Sequence, residues 1–257
     1  MRIRRLGWAG LELESGDHLA VVDLLQDTDW ISGFVGEPRT ALPGPSRPAD
    51  LALVTHLHAD HADPASLKAA LKPGASVLRP AAAGGDGLEN AALELAEAGL
   101  RELDTRVVEP WETVEAGPFR ISAIPAADGT GDPQVSWVVA DDETTLIHCG
   151  DTLFHGWWWR AAMRFGPIDL AFMPVNGVLA DFPHRQPSTG LPAAMTPREA
   201  AAAARALRVS EAIPIHYETF HSPPLYDAPD GTAQAFLEEA EAAGVRARIV
   251  EPGELVA

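Results

Sequence analysis

The hydrophobic and polar positions of the chain follow two periods, which predict short strands and helices in a repeated order. Short apolar runs with alternate-residue character indicate strands. Alanine-rich stretches indicate helices where an Asp or Thr followed by Pro marks the start, or where a glycine marks the end. The predicted strands are Arg2–Arg5, Gly10–Glu14, Leu19–Leu25, Leu51–Val54, Ala75–Leu78, Val107–Glu109, Glu112–Glu115, Phe119–Ile124, Val135–Ala140, Thr145–Cys149, Leu170–Pro174, Ala212–Ile215 and Arg246–Val250. The predicted helices are Ala65–Lys72, Leu88–Ala98, Gly156–Phe165, Pro197–Leu207 and Thr232–Ala243.

The order of strands and helices appears twice, with a boundary near Ala126–Asp132. Two similar halves that pack sheet against sheet, with helices outside, fit this order. We see no linker between independent units, so we expect one domain over residues 1–257. The segment Asp27–Asp50 is long for a connection and contains four prolines, which hints at a flap over a functional site.

A dense cluster of metal-binding side chains follows the buried strand predicted at Leu51–Val54. His56, His58, Asp60 and His61 fall within six residues, and the chain has only nine histidines. Neutral imidazoles and carboxylates bind divalent transition metals well. A loop at the end of a strand can direct His56 and His58 at one ion and Asp60 and His61 at another.

Two other predicted strands end in residues of the same kind. Thr145–Cys149 is followed by Gly150 and Asp151, and Ala212–Ile215 is followed by His216. Side chains just past strand ends are held by a rigid scaffold and converge at one edge. Alone, each is an ordinary turn Asp or His; together with the first cluster they predict a metal site.

The His-x-His-x-Asp-His pattern of residues 56–61 resembles the signature of the metallo-β-lactamase superfamily. More of the chain resembles the branch of predicted metal-dependent hydrolases that contains ascorbate-6-phosphate lactonase. The stretches that carry this resemblance are Arg2–Asp23, Ile147–Thr152, Asp169–Gly177 and Ile213–His216. The resemblance implies an α+β fold, namely a four-layer αββα sandwich of two mixed sheets with one or two metals at one edge. It also implies that Asp151 bridges two ions and that His216 is a final ligand.

The chain departs from this family at Asp128. Related proteins usually carry a histidine ligand here, after a Pro-Ala pair. Either Asp128 replaces that ligand, or the first ion keeps only His56, His58 and Asp151. A carboxylate also shifts the preference of the site toward harder ions. We expect two divalent metal ions, with zinc as the first choice and manganese or iron as alternatives.

Two further polar residues are open to more than one interpretation. Asp23 ends a predicted strand, and we interpret it as a turn residue, with support of the metal site as the alternative. His148 is equally well explained as a satisfied core histidine or as a donor that holds Asp151.

The substrate pocket is predicted from three residues outside the metal motif. Trp157 begins a run of three tryptophans, and these cannot all be buried on one helical face, so at least one lines the cleft or lies exposed. Asn176 follows the strand predicted at Leu170–Pro174, and His184 lies on the Pro/Gly-rich loop Leu179–Ala194. We predict Trp157, Asn176 and His184 as substrate-binding residues, and self-association through the tryptophans is left open.

Composition narrows the class of partner. The formal net charge is −18, and such a field repels polyanions, which argues against a nucleic-acid substrate. No run of 18 apolar residues is present, so we predict no membrane span. The single cysteine, Cys149, and the lack of a signal-like apolar segment near Met1 indicate a cytoplasmic protein.

These observations favour a metal-dependent hydrolase. In this hypothesis a hydroxide activated by two metals attacks a small ester, lactone or phosphodiester, and Asp60 is both a ligand and the residue that orients the nucleophile or carries its proton. The alternative is a non-catalytic, metal-stabilised binding or regulatory protein of the same fold. Asp128 suggests this alternative, because related proteins usually carry a histidine ligand at that position.

Overall fold

The computed structural model of the chain describes residues 1–83, 94 and 96–257, and two six-stranded sheets form its centre. The first sheet contains, in spatial order, β1 (Arg2–Gly7), β2 (Gly10–Ser15), β3 (His18–Val22), β4 (Ala49–Leu53), β5 (Leu71–Arg79) and β6 (Asp104–Val107). The second contains β13 (Glu211–Ile215), β11 (Leu170–Pro174), β10 (Thr145–His148), β9 (Val135–Ala140), β8 (Phe119–Pro125) and β7 (Thr113–Ala116). Both sheets are mixed, with antiparallel pairs on one side and parallel pairs on the other.

The helices and a small additional strand pair complete the described fold. The helices are α1 (Ser32–Val35), α2 (Pro64–Ala70), α3 (residues 96–100), α4 (Trp158–Phe165), α5 (Pro197–Leu207) and α6 (Thr232–Ala243). Strands β12 (Leu179–Ala180) and β14 (Tyr226–Asp227) pair antiparallel. Asp63 caps α2 by accepting hydrogen bonds from two backbone N–H groups, as its position before Pro64 predicts.

Neighbouring residues of the central strands pack on opposite faces of each sheet. In β11, Phe172 belongs to the core that contains residues of both sheets, whereas Met173 packs with α4, α5 and α6. In β4, Leu53 faces the same central core, whereas Ala52 packs with Leu67 of α2. The order is therefore helix, sheet, sheet, helix, which confirms the predicted α+β sandwich.

Several predicted elements are confirmed with the same bounds, because local signals set both ends. Helix α5 begins at a capping box in which Thr196 and Glu199 bond reciprocally, and it ends at a left-handed residue, Arg208. The bounds of α6, β9 and β11 are also as predicted. The predicted helix Leu88–Ala98 lies mostly outside the described residues.

The prediction of a strand at Arg246–Val250 is wrong, and Pro214 of β13 explains why. Ala212 donates to the Arg246 carbonyl and accepts from the Arg248 N–H, which makes a single parallel bridge between Ala212 and Ala247. The next donor along β13 would be residue 214, and proline has no N–H to donate. The ladder therefore stops after one bridge.

Other differences concern the ends of elements. Strand β6 covers Asp104–Val107 rather than Val107–Glu109, because its register with β5 pairs Ser76 with Asp104 and Arg79 with Val107. Three consecutive polar residues, Asp104, Thr105 and Arg106, hid this edge strand from the pattern. Helix α2 ends at Ala70, and α4 begins at Trp158.

Two backbone hydrogen bonds join the sheets at one end of the sandwich. The His216 N–H donates to the Trp8 carbonyl at 3.1 Å, and the Val135 N–H donates to the Thr55 carbonyl at 2.9 Å.

The prediction of one domain over residues 1–257 stays a prediction. Within the described ranges, no helix combines the length and apolar character needed to cross a bilayer.

A matched pair of leucines tests the assignment of the central core. Leu13 is fully buried between the sheets, whereas Leu191 is 70% exposed on a loop. Leu13→Ala should lower the free energy of unfolding by about 2–5 kcal/mol, because it removes packed methyl groups and leaves a cavity. Leu191→Ala should change it by less than about 0.5 kcal/mol. Urea denaturation measures both, and equal losses would contradict the described core.

Candidate metal centre

Several strands end at the same edge of the sandwich in a left-handed residue. Trp8, Asp23 and His216 follow β1, β3 and β13 with φ of 46°, 43° and 57°, and Gly150 follows β10 with φ of 65°. This conformation costs a residue with a side chain about 1–2 kcal/mol. Such strain persists where surrounding contacts hold it, and it gathers at functional sites. The turns leave the side chains of Trp8, Asp23 and His216 at this edge.

All seven predicted metal ligands meet there. They form three overlapping groups, and within each group one ligand atom per residue lies within 4.8 Å of the others. The groups are His56, His58, Asp128 and Asp151; His56, Asp60 and His61; and His61, Asp151 and His216. The shared members show that the groups are contiguous.

Four buried histidine nitrogens of this cluster have no hydrogen-bond partner among the residues that the structure describes. They are His56 Nε2, His61 Nε2 and both ring nitrogens of His216. The nearest carboxylate oxygens lie 3.6 Å from His56 Nε2 on Asp151, and 3.4 and 3.7 Å from His61 Nε2 and His216 Nε2 on Asp60. These separations exceed hydrogen-bond length, and buried polar atoms without partners are costly. A divalent cation that binds both kinds of atom removes that cost, so the residues present fit a metal.

Asp23 supports the ligand loop from beneath. Its fully buried carboxylate accepts from Thr55 N at 2.8 Å, Thr55 Oγ1 at 2.7 Å and His61 Nδ1 at 2.7 Å. Because Nδ1 donates to Asp23, Nε2 is the nitrogen that can bind a metal once a cation displaces its proton. Burial acts to raise the pKa of Asp23, but the charge and hydrogen bond of His61 outweigh it and hold that pKa below its usual value. The interpretation of Asp23 as a turn residue is therefore incomplete.

The Asp151 carboxylate is short of compensating positive charge. Burial raises the pKa of Asp151 to about 7; the charges of His61 and His58 oppose this rise, while the negative charges of Asp128 and Asp60 add to it. A bound cation reverses such a rise, since it stabilises the charged carboxylate. The shared position of Asp151 thus matches the bridging role that the resemblance implies.

Asp128 uses its two oxygens differently. Oδ1 accepts from Thr130 N at 2.7 Å, from Asp132 N at 3.2 Å and from Thr130 Oγ1, as in a turn. Oδ2 lies 3.7 Å from His58 Nδ1, within the ligand cluster. The residue is therefore a turn aspartate that still presents one oxygen to the site.

Several contacts of the ligands were not predicted. Gln134 Nε2 donates to Asp151 Oδ1 at 2.9 Å, and Trp8 Nε1 donates to Asp60 Oδ2 at 3.0 Å. His148 is instead a core residue: Nε2 donates to the Ala9 carbonyl at 2.7 Å and Nδ1 accepts from Gly150 N at 3.2 Å. The signal for Gln134 was its position just before the buried strand β9, and Trp8 stands in the turn after β1.

The predicted substrate residues lie in different surroundings. Asn176 is buried, and its Nδ2 donates to the Tyr226 hydroxyl at 3.1 Å. Trp157 is 36% exposed and packs on His155, with ring centroids 4.8 Å apart. His184 stacks on Phe182 at 5.7 Å. Trp158 is buried while Trp159 is half exposed, as the helical geometry requires, and the shared substrate pocket stays a prediction.

Comparison with known proteins agrees with this geometry. A β-lactamase superfamily domain matches residues 20–217. A UPF0173 metal-dependent hydrolase of Methanopyrus kandleri is 30% identical over 266 residues, which cover 99% of this chain and 98% of the relative. The chain belongs to the UPF0173 family of metal-dependent hydrolases, within the metallo-β-lactamase superfamily.

Other relatives extend the comparison. A UPF0173 metal-dependent hydrolase of Thermococcus kodakarensis is 27% identical over 261 residues, 99% of this chain and 98% of the relative. The crystal structure of isothiocyanate hydrolase from Delia radicum gut bacteria superimposes with a TM-score of 0.71 at 18% identity, covering 100% of this chain and 99% of that one. These findings confirm the fold and the general class of metal-dependent hydrolase. The resemblance to the ascorbate-6-phosphate lactonase branch stays a prediction.

Asp128→Asn separates the two roles of Asp128. The amide oxygen can still accept from Thr130 and Asp132, whereas an amide nitrogen replaces the oxygen that faces His58. The variant should therefore keep its fold and bind less metal per chain than wild type. Elemental analysis after dialysis measures this, with the exposed Asp142→Asn as control. Full metal content in Asp128→Asn would end its assignment as a ligand.

Proposed function

We propose that this hydrolase uses two divalent cations to cleave a small ester, lactone or phosphodiester. One observation carries the proposal: buried nitrogens of His56, His61 and His216, which have no hydrogen-bond partner in the described part of the chain, lie against the carboxylates of Asp60 and Asp151. Imidazole and carboxylate groups in this density match the sites of metal-dependent hydrolytic enzymes.

The ligands divide between two adjacent positions. His56, His58, Asp128 and Asp151 would hold one ion, and Asp60, His61 and His216 would hold the other, with Asp151 shared. Zinc is the expected metal because nitrogen ligands are numerous, and Asp128 makes manganese or iron the alternatives. When bound, the cations lower the pKa of water and stabilise negative charge that develops on the substrate.

Asp60 is the residue proposed to orient the nucleophile. Its side chain is 21% exposed while that of His61 is fully buried, so Asp60 borders the solvent side of the site. The Trp8 indole holds Asp60 Oδ2 in place. Burial acts to raise the pKa of Asp60, but the positive charge of His61 and the neighbouring imidazole of His216 hold that pKa well below its usual value. A carboxylate of low pKa holds a proton poorly, which favours the orienting role over proton storage.

Asn176 is proposed to act on the substrate through Tyr226. Burial, and then the negative charges of Asp60 and Asp151, raise the pKa of Tyr226 well above its usual value, so the hydroxyl stays neutral beside the site. Because the Asn176 amide donates to the hydroxyl oxygen, the tyrosine proton can be donated to a substrate oxygen. Substrate contacts by Trp157 and His184 stay predictions.

Charge supports a small substrate over a nucleic acid. The formal net charge of −18 opposes long-range attraction of a polyanion, although bound cations reverse the field locally. From the sequence we also propose a cytoplasmic location and no membrane partner. Self-association stays open. The non-catalytic alternative is disfavoured, because Asp128 keeps an oxygen within the ligand cluster.

Hydrolysis by protein loaded with zinc or manganese tests the proposal. Generic lactones, p-nitrophenyl esters and bis(p-nitrophenyl) phosphate represent the three substrate classes. Asp60→Asn should lower kcat/KM by about 100-fold or more at saturating metal, because an amide loses the charge that orients the nucleophile. Asp142→Asn, which changes an exposed aspartate, should leave kcat/KM unchanged. A metal-replete wild type that cleaves no member of any class would favour the binding protein instead.

A further inference from the structure

We propose that Asp132 is a positioning residue that fixes His58 as a metal ligand through Nδ1 and ties the loop that carries Arg185 to the metal centre. The inference rests on the proposed function, since it requires that His58 binds a cation. Asp132 lies outside the motif that predicted the ligands, and it is not among them.

The first step concerns the proton on His58. Asp132 Oδ2 lies 2.9 Å from His58 Nε2, and the Asp132 side chain is 8% exposed. An ionised carboxylate can only accept hydrogen bonds, so Nε2 carries the proton and Nδ1 keeps the lone pair. Nδ1 lies 3.7 Å from Asp128 Oδ2, on the side of the ligand cluster. Asp132 therefore selects the tautomer in which the nitrogen near the cluster can bind a metal.

The second step compares the three histidines of the ligand loop. His61 Nδ1 donates to Asp23, and His56 Nδ1 lies 3.0 Å from Thr55 Oγ1, which itself donates to Asp23. Each of these two rings thus has its outer nitrogen occupied and Nε2 facing the cluster. His58 has the opposite arrangement, and Asp132 occupies its Nε2. The three rings are thereby each held in a single orientation by a neighbouring side chain.

The third step concerns Arg185, which lies in the segment between β12 and α5. Arg185 Nη2 donates to Asp132 Oδ2 at 2.9 Å, and Nη1 donates to the Thr130 carbonyl. The same Asp132 oxygen, Oδ2, therefore accepts hydrogen bonds from both His58 and Arg185. The Asp132 N–H also donates to Asp128 Oδ1. One short turn therefore carries both a proposed ligand, Asp128, and the residue that holds a second proposed ligand, His58. Movement of residues 181–194 would thus alter the hold on His58.

Cobalt titration tests the inference, because cobalt(II) absorption reports both affinity and coordination. Metal-free wild type, Asp132→Ala, Asp132→Asn and Arg185→Ala are compared, with Asp142→Ala as the matched surface control. Asp132→Ala should lower the affinity for one of the two cobalt ions by about 10–100-fold and change the visible absorption spectrum of that ion. Asp132→Asn keeps an oxygen that accepts from His58 Nε2, so it should lose less cobalt affinity than Asp132→Ala does. Asp142→Ala should match wild type.

Hydrogen exchange tests the tie to the loop. Arg185→Ala and Asp132→Ala should both speed amide exchange within residues 181–194, while Arg185→Ala weakens cobalt binding less than Asp132→Ala does. Unchanged exchange in both variants would overturn the tie.

The remaining outcomes separate the inference from the proposed function. Wild-type cobalt affinity and spectrum in a folded Asp132→Ala protein would overturn the positioning role alone. A folded wild type that takes up no cobalt would overturn the metal centre and the inference with it. Circular dichroism of each metal-free variant establishes folding, and Asp132→Asn decides the question if the alanine variant does not fold.

Discussion

The buried carboxylate of Asp23 is the interaction on which the metal edge depends. A carboxylate with no exposed surface is costly unless it is hydrogen-bonded, and Asp23 is satisfied by Thr55 and His61. These partners lie at the start and the end of the loop that carries the predicted ligands. The charge of Asp23 therefore holds both ends of the loop and directs Nε2 of His61 toward the cluster.

The site places unsatisfied groups where the protein alone cannot pair them. A buried polar atom without a partner costs about 1–3 kcal/mol, and four imidazole nitrogens of His56, His61 and His216 have no partner among the described residues. Left-handed backbone at Asp23 and His216 adds strain. Cations that bind only the folded chain would offset these costs by mass action, so stability and chemistry share the same contacts. This is the physical reason to expect a cation rather than an empty acidic cleft.

The ligands were predictable from the sequence because they stand in the short segments that follow buried strands, as His56, Asp151 and His216 do after β4, β10 and β13. Their supports were not, because Trp8 with Asp60, and Arg185 with Asp132, join segments more than fifty residues apart. Such pairs depend on the register of two sheets and on loop conformation, which no local pattern records. The missing last strand has a similar cause, since an edge strand also depends on whether its neighbour, here Pro214, can donate.

Anomalous diffraction from crystals grown with excess zinc tests the central claim most directly. The account predicts two peaks on either side of the Asp151 carboxylate. One would contact His56, His58 and Asp128, and the other would contact Asp60, His61 and His216. Zinc-soaked crystals with no anomalous peak among these side chains, and with water bonded to the histidine nitrogens instead, would contradict it.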